Sequence, residues 1–314
     1  MPAFDVLTVA ACLRRDTGGS PTAVVACRPQ FGYPRSGNGE LRDADLARIP
    51  ARIGTSHVAV IDTGGGAPAL RFFTATGELP SCGHGTVAAI AALALTPRHP
   101  GLPLHPGFRG TMRMSGGDVY ASGVVRSKPG EPTLVDAWFD QGVVTRRAAR
   151  ASERDAFLAA LGLTPSALHG DDDLSVASPG RERVLVPVVD RAVLAGLCPD
   201  PAELAAASRR HGQLGCFVYV PPTGGEPAAA RMFAPAIGVP EDVANANSTG
   251  CLAAHLLATG RGPAVAVEQG DALGRPSTVY ASATRTRRGL ATRVGGTARL
   301  MSTDTLSTDS PSLK

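Results

Sequence analysis

The sequence lacks several features that would place it directly in a familiar class of protein. None of its apolar runs reaches the ~18 residues that a membrane-spanning helix needs. Its 314 residues contain no P-loop, no G-x-G-x-x-G fingerprint and no H-E-x-x-H motif. These absences argue against a membrane partner, phosphoryl transfer, dinucleotide-dependent hydride transfer and zinc-dependent hydrolysis.

Cysteine pairs and lysine are also scarce. The six cysteines are scattered with no C-x-x-C spacing, which predicts neither a zinc site nor a disulfide scaffold and favours a reducing cytoplasm. No basic segment precedes the first apolar stretch, which contains Asp5, so we expect no secretory signal. The only lysines are Lys128 and Lys314, and the net charge is a modest +4. We therefore expect a cytoplasmic protein with no nucleic-acid partner.

The sequence does contain a repeat. Residues 71–80 (RFFTATGELP) are echoed by residues 231–240 (RMFAPAIGVP), at an offset of 231 − 71 = 160 residues. Each copy is a β-like run that ends at Pro, followed by a small polar loop and an almost uncharged, Ala- and Leu-rich helix. Repetition at about half the chain length predicts two similar domains. With 43% hydrophobic and 18% charged residues, the chain has the composition of a globular protein.

Short apolar runs between turn residues predict many strands and few helices. The helix predicted over residues 86–95 has no charged face, and a helix that is apolar all round must be wrapped by other structure. We therefore predict an α/β (α+β) fold with two pseudo-symmetric domains, in which each sheet curls around one central helix. The predicted domains are residues 1–130 and 131–306, followed by a flexible polar tail at 307–314.

Four segments resemble the PhzF-like family of phenazine biosynthesis. Residues 19–25 (GSPTAVV) are similar to that family's G-N-P-A-A-V-V motif. Residues 72–86 resemble its F-T-P…E-x-P-x-C/A-G-H-x-T segment, and residues 231–242 resemble R-M-F-A-P…G-x-x-E-D. Residues 269–277 match Q-G…G-R-P-S. The matches occur in order over almost the whole chain, so together they are specific.

The resemblance implies a fold and a type of reaction. The family belongs with diaminopimelate epimerase and proline racemase, in which each domain is a β-barrel around a central helix and the active site lies in the cleft between domains. Its members move protons on small carboxylated substrates without a metal or cofactor, and PhzF-like proteins are commonly homodimers. We accordingly expect a homodimeric, cofactor-independent isomerase with a small-molecule carboxylate substrate. In that fold the last strand can return to the first domain, which would alter our simple boundary.

The resemblance also singles out three candidate catalytic residues. His84 occupies the family's G-H position, and histidine suits proton transfer near neutral pH. Asp242 matches the E-D pair and would act as an acid or base, or would orient His84. Cys82 lies where the racemases have a thiol base, but PhzF-like isomerases can have Cys or Ala there, so a packing role is the alternative. The other six histidines have no such support.

Both repeated loops should present backbone N–H groups at the start of a buried helix, where a carboxylate can bind. Such donors would also stabilise the enolate-like charge that forms as a proton leaves. Ordinary helix capping is the alternative role for these loops. The predicted substrate-binding residues are small or polar residues of the two loops and of two further motif positions: Gly83, Gly85, Asn245, Ala246, Asn247, Ser248, Ser20 and Thr55.

Two of the departures from the patterns of these proteins concern acid or base residues. Thr55 falls where PhzF has a Glu on the strand after the first helix, and threonine has no useful acidity. The second thiol of the racemases falls at Asn245, and Cys251 could replace it only if the loop shifted its register.

Three hypotheses follow. The leading one is an isomerase that shifts a proton, and so a double bond, on a small unsaturated carboxylate or cyclic amino acid. A substituted proline in bacterial secondary metabolism is one such substrate. The second is an amino-acid racemase or epimerase that uses Cys82 and Cys251. The third is a non-catalytic binding protein on this scaffold.

Overall fold

The computed structural model describes residues 3–27, 41–64, 66–96, 107–170 and 172–307. The strands in these residues are β1 (Ala3–Ala11), β2 (Ser20–Cys27), β3 (Val58–Asp62), β4 (Ala69–Thr74), β5 (Gly77–Leu79), β6 (Gly107–Met114), β7 (Gly117–Arg126), β8 (Leu134–Ala148), β9 (Ser175–Ser178), β10 (Arg183–Pro187), β11 (Cys216–Val220), β12 (Ala228–Ala234), β13 (Val239–Asp242), β14 (Ala264–Gln269), β15 (Ser277–Thr286) and β16 (Gly289–Ser307). The α-helices are α1 (Asp43–Ile53), α2 (Gly83–Leu95), α3 (Ala151–Leu161), α4 (Arg191–Ala195), α5 (Pro201–His211) and α6 (Ala246–Ala258). None of these described helices is both long enough and apolar enough to cross a bilayer.

The chain divides into two compact units, and two long strands contribute to both. The first unit comprises Met1–Asp16, Ser20–Phe139 and Gly295–Lys314, and the second comprises Thr17–Gly19 and Asp140–Val294. The chain therefore changes unit inside β8 and inside β16. The sequence predicted a boundary between residues 130 and 131, which lie in the loop before β8. The change of unit inside β8 left no signal in the sequence, because a continuous strand shows no break in its pattern where it changes unit. Ser307 ends β16, and the rest of the predicted tail, residues 308–314, lies outside the described residues.

The strands of the first unit form a closed ring around α2. Their hydrogen-bonded order is β8-β7-β6-β4-β3-β2-β1-β16, and β8 also pairs with β16. Across this closing pair, the hydroxyl of Thr297 donates to Oδ1 of Asp136 at 2.8 Å. The pairs β2–β3 and β4–β6 are parallel, and β5 adds to β4. Helix α2 contacts β1, β2, β3, β4, β6 and β7.

The second unit repeats this order with its own strands. The ring is β16-β15-β14-β12-β11-β10-β9-β8, closed again by the pairing of β8 with β16. In this unit the hydroxyl of Thr292 donates to Oε1 of Gln141 at 2.7 Å. The parallel pairs are β10–β11 and β12–β14, and β13 adds to β12 as β5 adds to β4. Helix α6 contacts β9, β14 and β15.

The composition of the two central helices explains why each can be surrounded by strands. Every residue of α2 from Gly83 to Ala92 is buried, as is every residue of α6 from Ser248 to Leu256. Small uncharged side chains let the strands approach closely. A Cβ added to Gly250 would lie 2.9 Å from Cγ1 of Val294 and closer still to the Gln141 side chain. The predicted α+β fold, with each sheet curled around one buried helix, is confirmed.

Candidate active site

Three buried side chains meet at the N-terminus of α2. Cys82 is the N-cap residue of the helix, His84 lies in its first turn, and His57 immediately precedes β3. Nε2 of His84 lies 3.4 Å from Sγ of Cys82 and 3.2 Å from Nδ1 of His57. The two imidazole rings meet edge to face, with centroids 4.6 Å apart and planes at 79°. All three residues are less than a tenth exposed; we call them the His–Cys–His cluster.

The start of α2 fixes the backbone of Cys82 without using its thiol as a helix cap. The backbone N–H and the hydroxyl of Thr86 donate to the carbonyl of Cys82 at 2.9 and 2.8 Å. Cys82 itself makes no side-chain cap hydrogen bond within the described residues. A Cβ at Gly85 would lie 2.9 Å from Sγ of Cys82 and 3.0 Å from the ring of Phe72. Glycine therefore preserves the space in which the thiol lies against His84.

The segment before β3 positions His57. The hydroxyl of Thr55 donates to the carbonyl of His57 at 3.0 Å, and Oγ of Ser56 lies 2.8 Å from Nδ1 of His57. Thr55, which the resemblance aligns with the Glu of PhzF, holds the backbone here, whereas the titratable side chain comes two residues later. From the sequence we gave His57 no role, and its contact with His84 corrects that omission. No local signal in the sequence marks His57, because its contact with His84 spans 27 residues.

The N-terminus of α6 has a hydrogen-bonded cap, whereas that of α2 has the His–Cys–His cluster. Asn245 is the N-cap residue, and its Oδ1 accepts from the N–H of Ser248 at 2.8 Å. Its Nδ2 donates to Oδ2 of Asp242 at 2.9 Å, and Oδ1 of Asp242 accepts from the N–H of Ala244 at 3.3 Å. Asp242, Asn245 and Ser248 are thus brought together within the second unit. In this arrangement Asp242 supports the cap.

Two glutamines that we did not identify as site residues complete this loop. Oε1 of Gln269 accepts from the N–H of Asn245 at 2.8 Å, and its Nε2 donates to the hydroxyl of Thr249 at 3.0 Å. Nε2 of Gln141 donates to the carbonyl of Asn247 at 2.9 Å. Gln269 belongs to the Q-G motif of the family resemblance, so the motif identified the residue but not its contacts. For Gln141 the sequence contains no comparable signal.

The remaining predicted substrate-binding residues are distributed over both units. Gly83 and Gly85 lie in the first turn of α2, and Ala246 and Asn247 lie in the first turn of α6. Ser20 is the first residue of β2 and is buried. Their part in substrate binding stays a prediction.

Cys251 lies in the interior of α6 and is fully buried. Burial raises the pKa of its thiol to about 11, although the guanidinium of Arg183 partly opposes this rise. The position that corresponds to Cys82 is Asn245, because both are the N-cap residues of their central helices. The shift of register that would bring Cys251 to the start of α6 is therefore absent from this described segment.

Comparison with known sequences places the chain in a family. The family model for phenazine biosynthesis-like proteins (PhzC-PhzF) matches residues 14–303. An uncharacterised isomerase of Deinococcus radiodurans is 32% identical over 268 residues, which cover 83% of this chain and 84% of the relative. The trans-2,3-dihydro-3-hydroxyanthranilate isomerase of Pseudomonas fluorescens is 30% identical over 252 residues, which cover 78% of this chain and 81% of that enzyme.

The fold also matches a solved structure. A PhzF-family protein of Bacillus anthracis superposes with a TM-score of 0.77 at 20% sequence identity, over 98% of this chain and 100% of that one. At this level of identity the superposition shows the shared fold. The sequence matches add the class of reaction, since the relatives are isomerases. The chain therefore belongs to the phenazine biosynthesis-like, or PhzF-like, family and is an isomerase.

Proposed function

We propose that the protein moves a proton between two carbons of a small unsaturated carboxylate, and so shifts a double bond, with His84 as the group that takes and returns the proton. The observation that carries this proposal is the distance of 3.2 Å between Nε2 of His84 and Nδ1 of His57. Two imidazole nitrogens at this separation share one proton in a hydrogen bond. His84 therefore has a neighbour that can hold or supply a proton during the transfer.

A single cluster suits a proton shift along one face of a planar substrate. The same base removes the proton from one carbon and returns it to another, whereas racemisation needs a base on each face. Sγ of Cys82, 3.4 Å from Nε2 of His84, orients the imidazole in this proposal. The burial of Cys251 inside α6 gives no support to a second thiol base.

The N-terminus of α2 is the proposed binding point for negative charge in the first unit. Its first backbone N–H groups and the positive end of the helix dipole favour a carboxylate or a developing enolate. Gly83 and Gly85 allow the backbone to approach a ligand closely. We assign Asp242 a different role, because both its oxygens accept hydrogen bonds in the loop before α6. In this proposal Asp242 positions that loop.

The proposed substrate class combines these features with a relative's activity. The Pseudomonas fluorescens relative is named for the isomerisation of trans-2,3-dihydro-3-hydroxyanthranilate. We propose for this chain a cyclic, unsaturated substrate that bears a carboxylate and an amino or imino group, with substituted-proline intermediates included. Such a substrate fits the biosynthesis of a secondary metabolite. We propose further that the protein acts in the cytoplasm and as a homodimer. Light scattering and cell fractionation test the last two points.

Solvent-deuterium incorporation tests the reaction itself. The protein is incubated in D2O with free amino acids, including proline, and with unsaturated cyclic imino and dienoic carboxylates, and the products are analysed by NMR and mass spectrometry. Deuterium at a shifted position of an unsaturated substrate supports the proposal. Exchange at the α-carbon of a saturated amino acid, with loss of optical purity, contradicts it and favours a racemase.

Matched variants then test the assignment to the cluster. We expect His84→Gln and His57→Gln to lose the exchange, while His255→Gln, which changes a buried histidine of the second unit, keeps it. His255 lies in α6 and is 3.1 Å from Oγ of Ser175, so it serves the core. Full exchange in a folded His84→Gln protein would contradict the proposed role of His84.

A further inference from the structure

We infer that the His–Cys–His cluster is also a binding site for Zn²⁺, and that the zinc-loaded protein is the inhibited form of the enzyme. The site would use three donor atoms: Nδ1 of His57, Sγ of Cys82 and Nε2 of His84. These three atoms all lie within 4.8 Å of one another. Two imidazoles and one thiolate form a donor set of the kind that Zn²⁺ prefers.

Two of the three donor separations are close to the edges of a zinc coordination tetrahedron, and the third, between Cys82 and His57, is within 4.8 Å. With Zn–N bonds of about 2.05 Å and a Zn–S bond of about 2.3 Å, neighbouring nitrogens lie about 3.3 Å apart and a sulfur lies about 3.6 Å from a nitrogen. The corresponding distances in the cluster are 3.2 Å between His84 and His57 and 3.4 Å between His84 and Cys82.

The arrangement of the donors along the chain explains why a search for cysteine pairs does not find this site. Cys82 and His84 are two residues apart at the start of one helix, and His57 is 27 residues away from His84 on another segment. The fold alone brings the third donor to the other two. Three protein ligands also leave a fourth position for water or for a ligand carboxylate, as in catalytic zinc sites.

Occupation by zinc has a direct chemical consequence for the proposed reaction. Zinc binding releases the thiol proton of Cys82 to solvent and moves the proton shared by Nε2 of His84 and Nδ1 of His57 to another ring nitrogen. The ion then holds the lone pairs of those two atoms, which the proposed function uses to accept and return the proton. The inhibition rests on the proposed function, whereas the metal site rests on the donor geometry alone. The two parts are therefore tested separately.

Binding is tested with Co²⁺ as a spectroscopic probe on the full chain, followed by displacement with Zn²⁺. We expect one ion per chain, tetrahedral d–d absorption and a thiolate-to-cobalt charge-transfer band. Cys82→Ser should remove the charge-transfer band. Cys82→Ser and His57→Gln should each weaken the binding by more than about 100-fold, since even partners outside the ligand set are worth 10- to 100-fold. The matched controls are Cys251→Ser and His255→Gln, which change a buried thiol and a buried imidazole of the second unit and should bind as the unaltered protein does.

Three results decide between the possibilities. Binding that is lost in the cluster variants and kept in the control variants supports the site, and circular dichroism confirms that each variant is folded. No binding, or binding that survives in the cluster variants, overturns the metal site and leaves the proposed isomerase reaction to its own deuterium test. Stoichiometric zinc binding that leaves deuterium exchange unchanged upholds the metal site but overturns the inhibition and the role of the cluster in proton transfer.

Discussion

The two central helices begin alike and differ in what their first residues do. In each helix a threonine four residues after the N-cap donates its hydroxyl to the N-cap carbonyl: Thr86 to Cys82 at 2.8 Å and Thr249 to Asn245 at 2.9 Å. Asn245 also caps α6 through its side chain, whereas Cys82 does not cap α2 within the described residues. The second unit uses its N-cap side chain to satisfy the backbone, and the first unit leaves its N-cap side chain against a histidine.

The strands that precede these helices show that the repeat is structural. The guanidinium of Arg71 lies 4.8 Å from the ring centroid of Phe73, and that of Arg231 lies 4.9 Å from the ring centroid of Phe233. The helices start at a slightly larger offset, 246 − 83 = 163 residues, and the second copy contains a 3-10 turn at Pro235–Ile237. The strand order around the two central helices is therefore shared, and at the helix starts the units differ in the side chains that they place there.

The largest expected effect on the rate of deuterium incorporation comes from substituting, one at a time, the equivalent residues at those helix starts. His84 and Asn247 are each the second residue of their helix. We expect His84→Gln to lower the initial rate of deuterium incorporation by about 10²- to 10⁴-fold, the usual contribution of a positioned acid or base. Asn247→Ala should lower it by no more than about tenfold. Equal losses in the two variants would mean that the units share the chemistry evenly.

A second comparison concerns two arginines, each held by two carboxylates. Arg147 lies 2.7 Å from Glu153 and 2.8 Å from Glu182, and Arg71 lies 2.7 Å from Glu78. The side chain of Glu153 is fully buried, while that of Glu78 is 41% exposed. We expect Glu153→Gln to lower the free energy of unfolding at pH 7 by about 3 kcal/mol, and Glu78→Gln to lower it by about 1 kcal/mol or less. Urea denaturation measures both.

The pH dependence separates the charge of Glu153 from its packing. The hydrogen bond from Arg147 lowers the pKa of Glu153 from its ordinary value of 4.5 to about 2. Because the pKa is lower in the folded protein, the stabilisation is fully present above about pH 4.5 and is lost as the pH falls toward 2. The difference between the unaltered protein and Glu153→Gln should therefore shrink between these two values. A difference that stays constant with pH would assign the loss to packing.

Much of the fold could be predicted because its signals are local. Residues 86–95 contain no charged side chain, and the helix found there is Gly83–Leu95. The prediction started three residues late, because the Gly-His-Gly sequence of its first turn is typical of a loop. The change of unit inside β8 has no local signal, since the strand continues through it.

The candidate site was predictable only in part, because only some of its features have local signals in the sequence. Motif positions identified Cys82 and His84, which are close together in the chain. They could not identify His57, because its contact with His84 spans 27 residues and depends on how β3 packs beside α2. Gln269 was part of a motif, but its two hydrogen bonds to the start of α6 depend on where β14 ends. Residue types can therefore be assigned from sequence at such a site, whereas partnerships across strands need the fold.

A smaller effect should separate stability from activity at the two N-caps. Asn245→Ala removes the cap of α6 and the donor to Asp242, and we expect it to lower the free energy of unfolding by about 2 kcal/mol. Cys82→Ala removes no cap, and its cost should be about 1 kcal/mol or less, from packing. Denaturant midpoints test this order. In deuterium exchange the order should be reversed, with the larger loss in Cys82→Ala and the smaller in Asn245→Ala. If Asn245→Ala gave the larger loss in both measurements, the distinction between a capping loop and a reactive loop would be removed.

The smallest expected difference lies in the two threonines that the helix starts share. Thr86→Val and Thr249→Val each remove one buried hydrogen bond to the N-cap carbonyl, which is worth about 1 kcal/mol. The hydroxyl of Thr249 also accepts from Nε2 of Gln269, whose Oε1 accepts from the N–H of Asn245. Valine at 249 leaves that amide without its acceptor, so Thr249→Val should cost about 1 kcal/mol more than Thr86→Val. In the Gln269→Leu background that excess should disappear, because the amide that depends on Thr249 is then gone; an excess that persists would place its cause in the threonine's own packing.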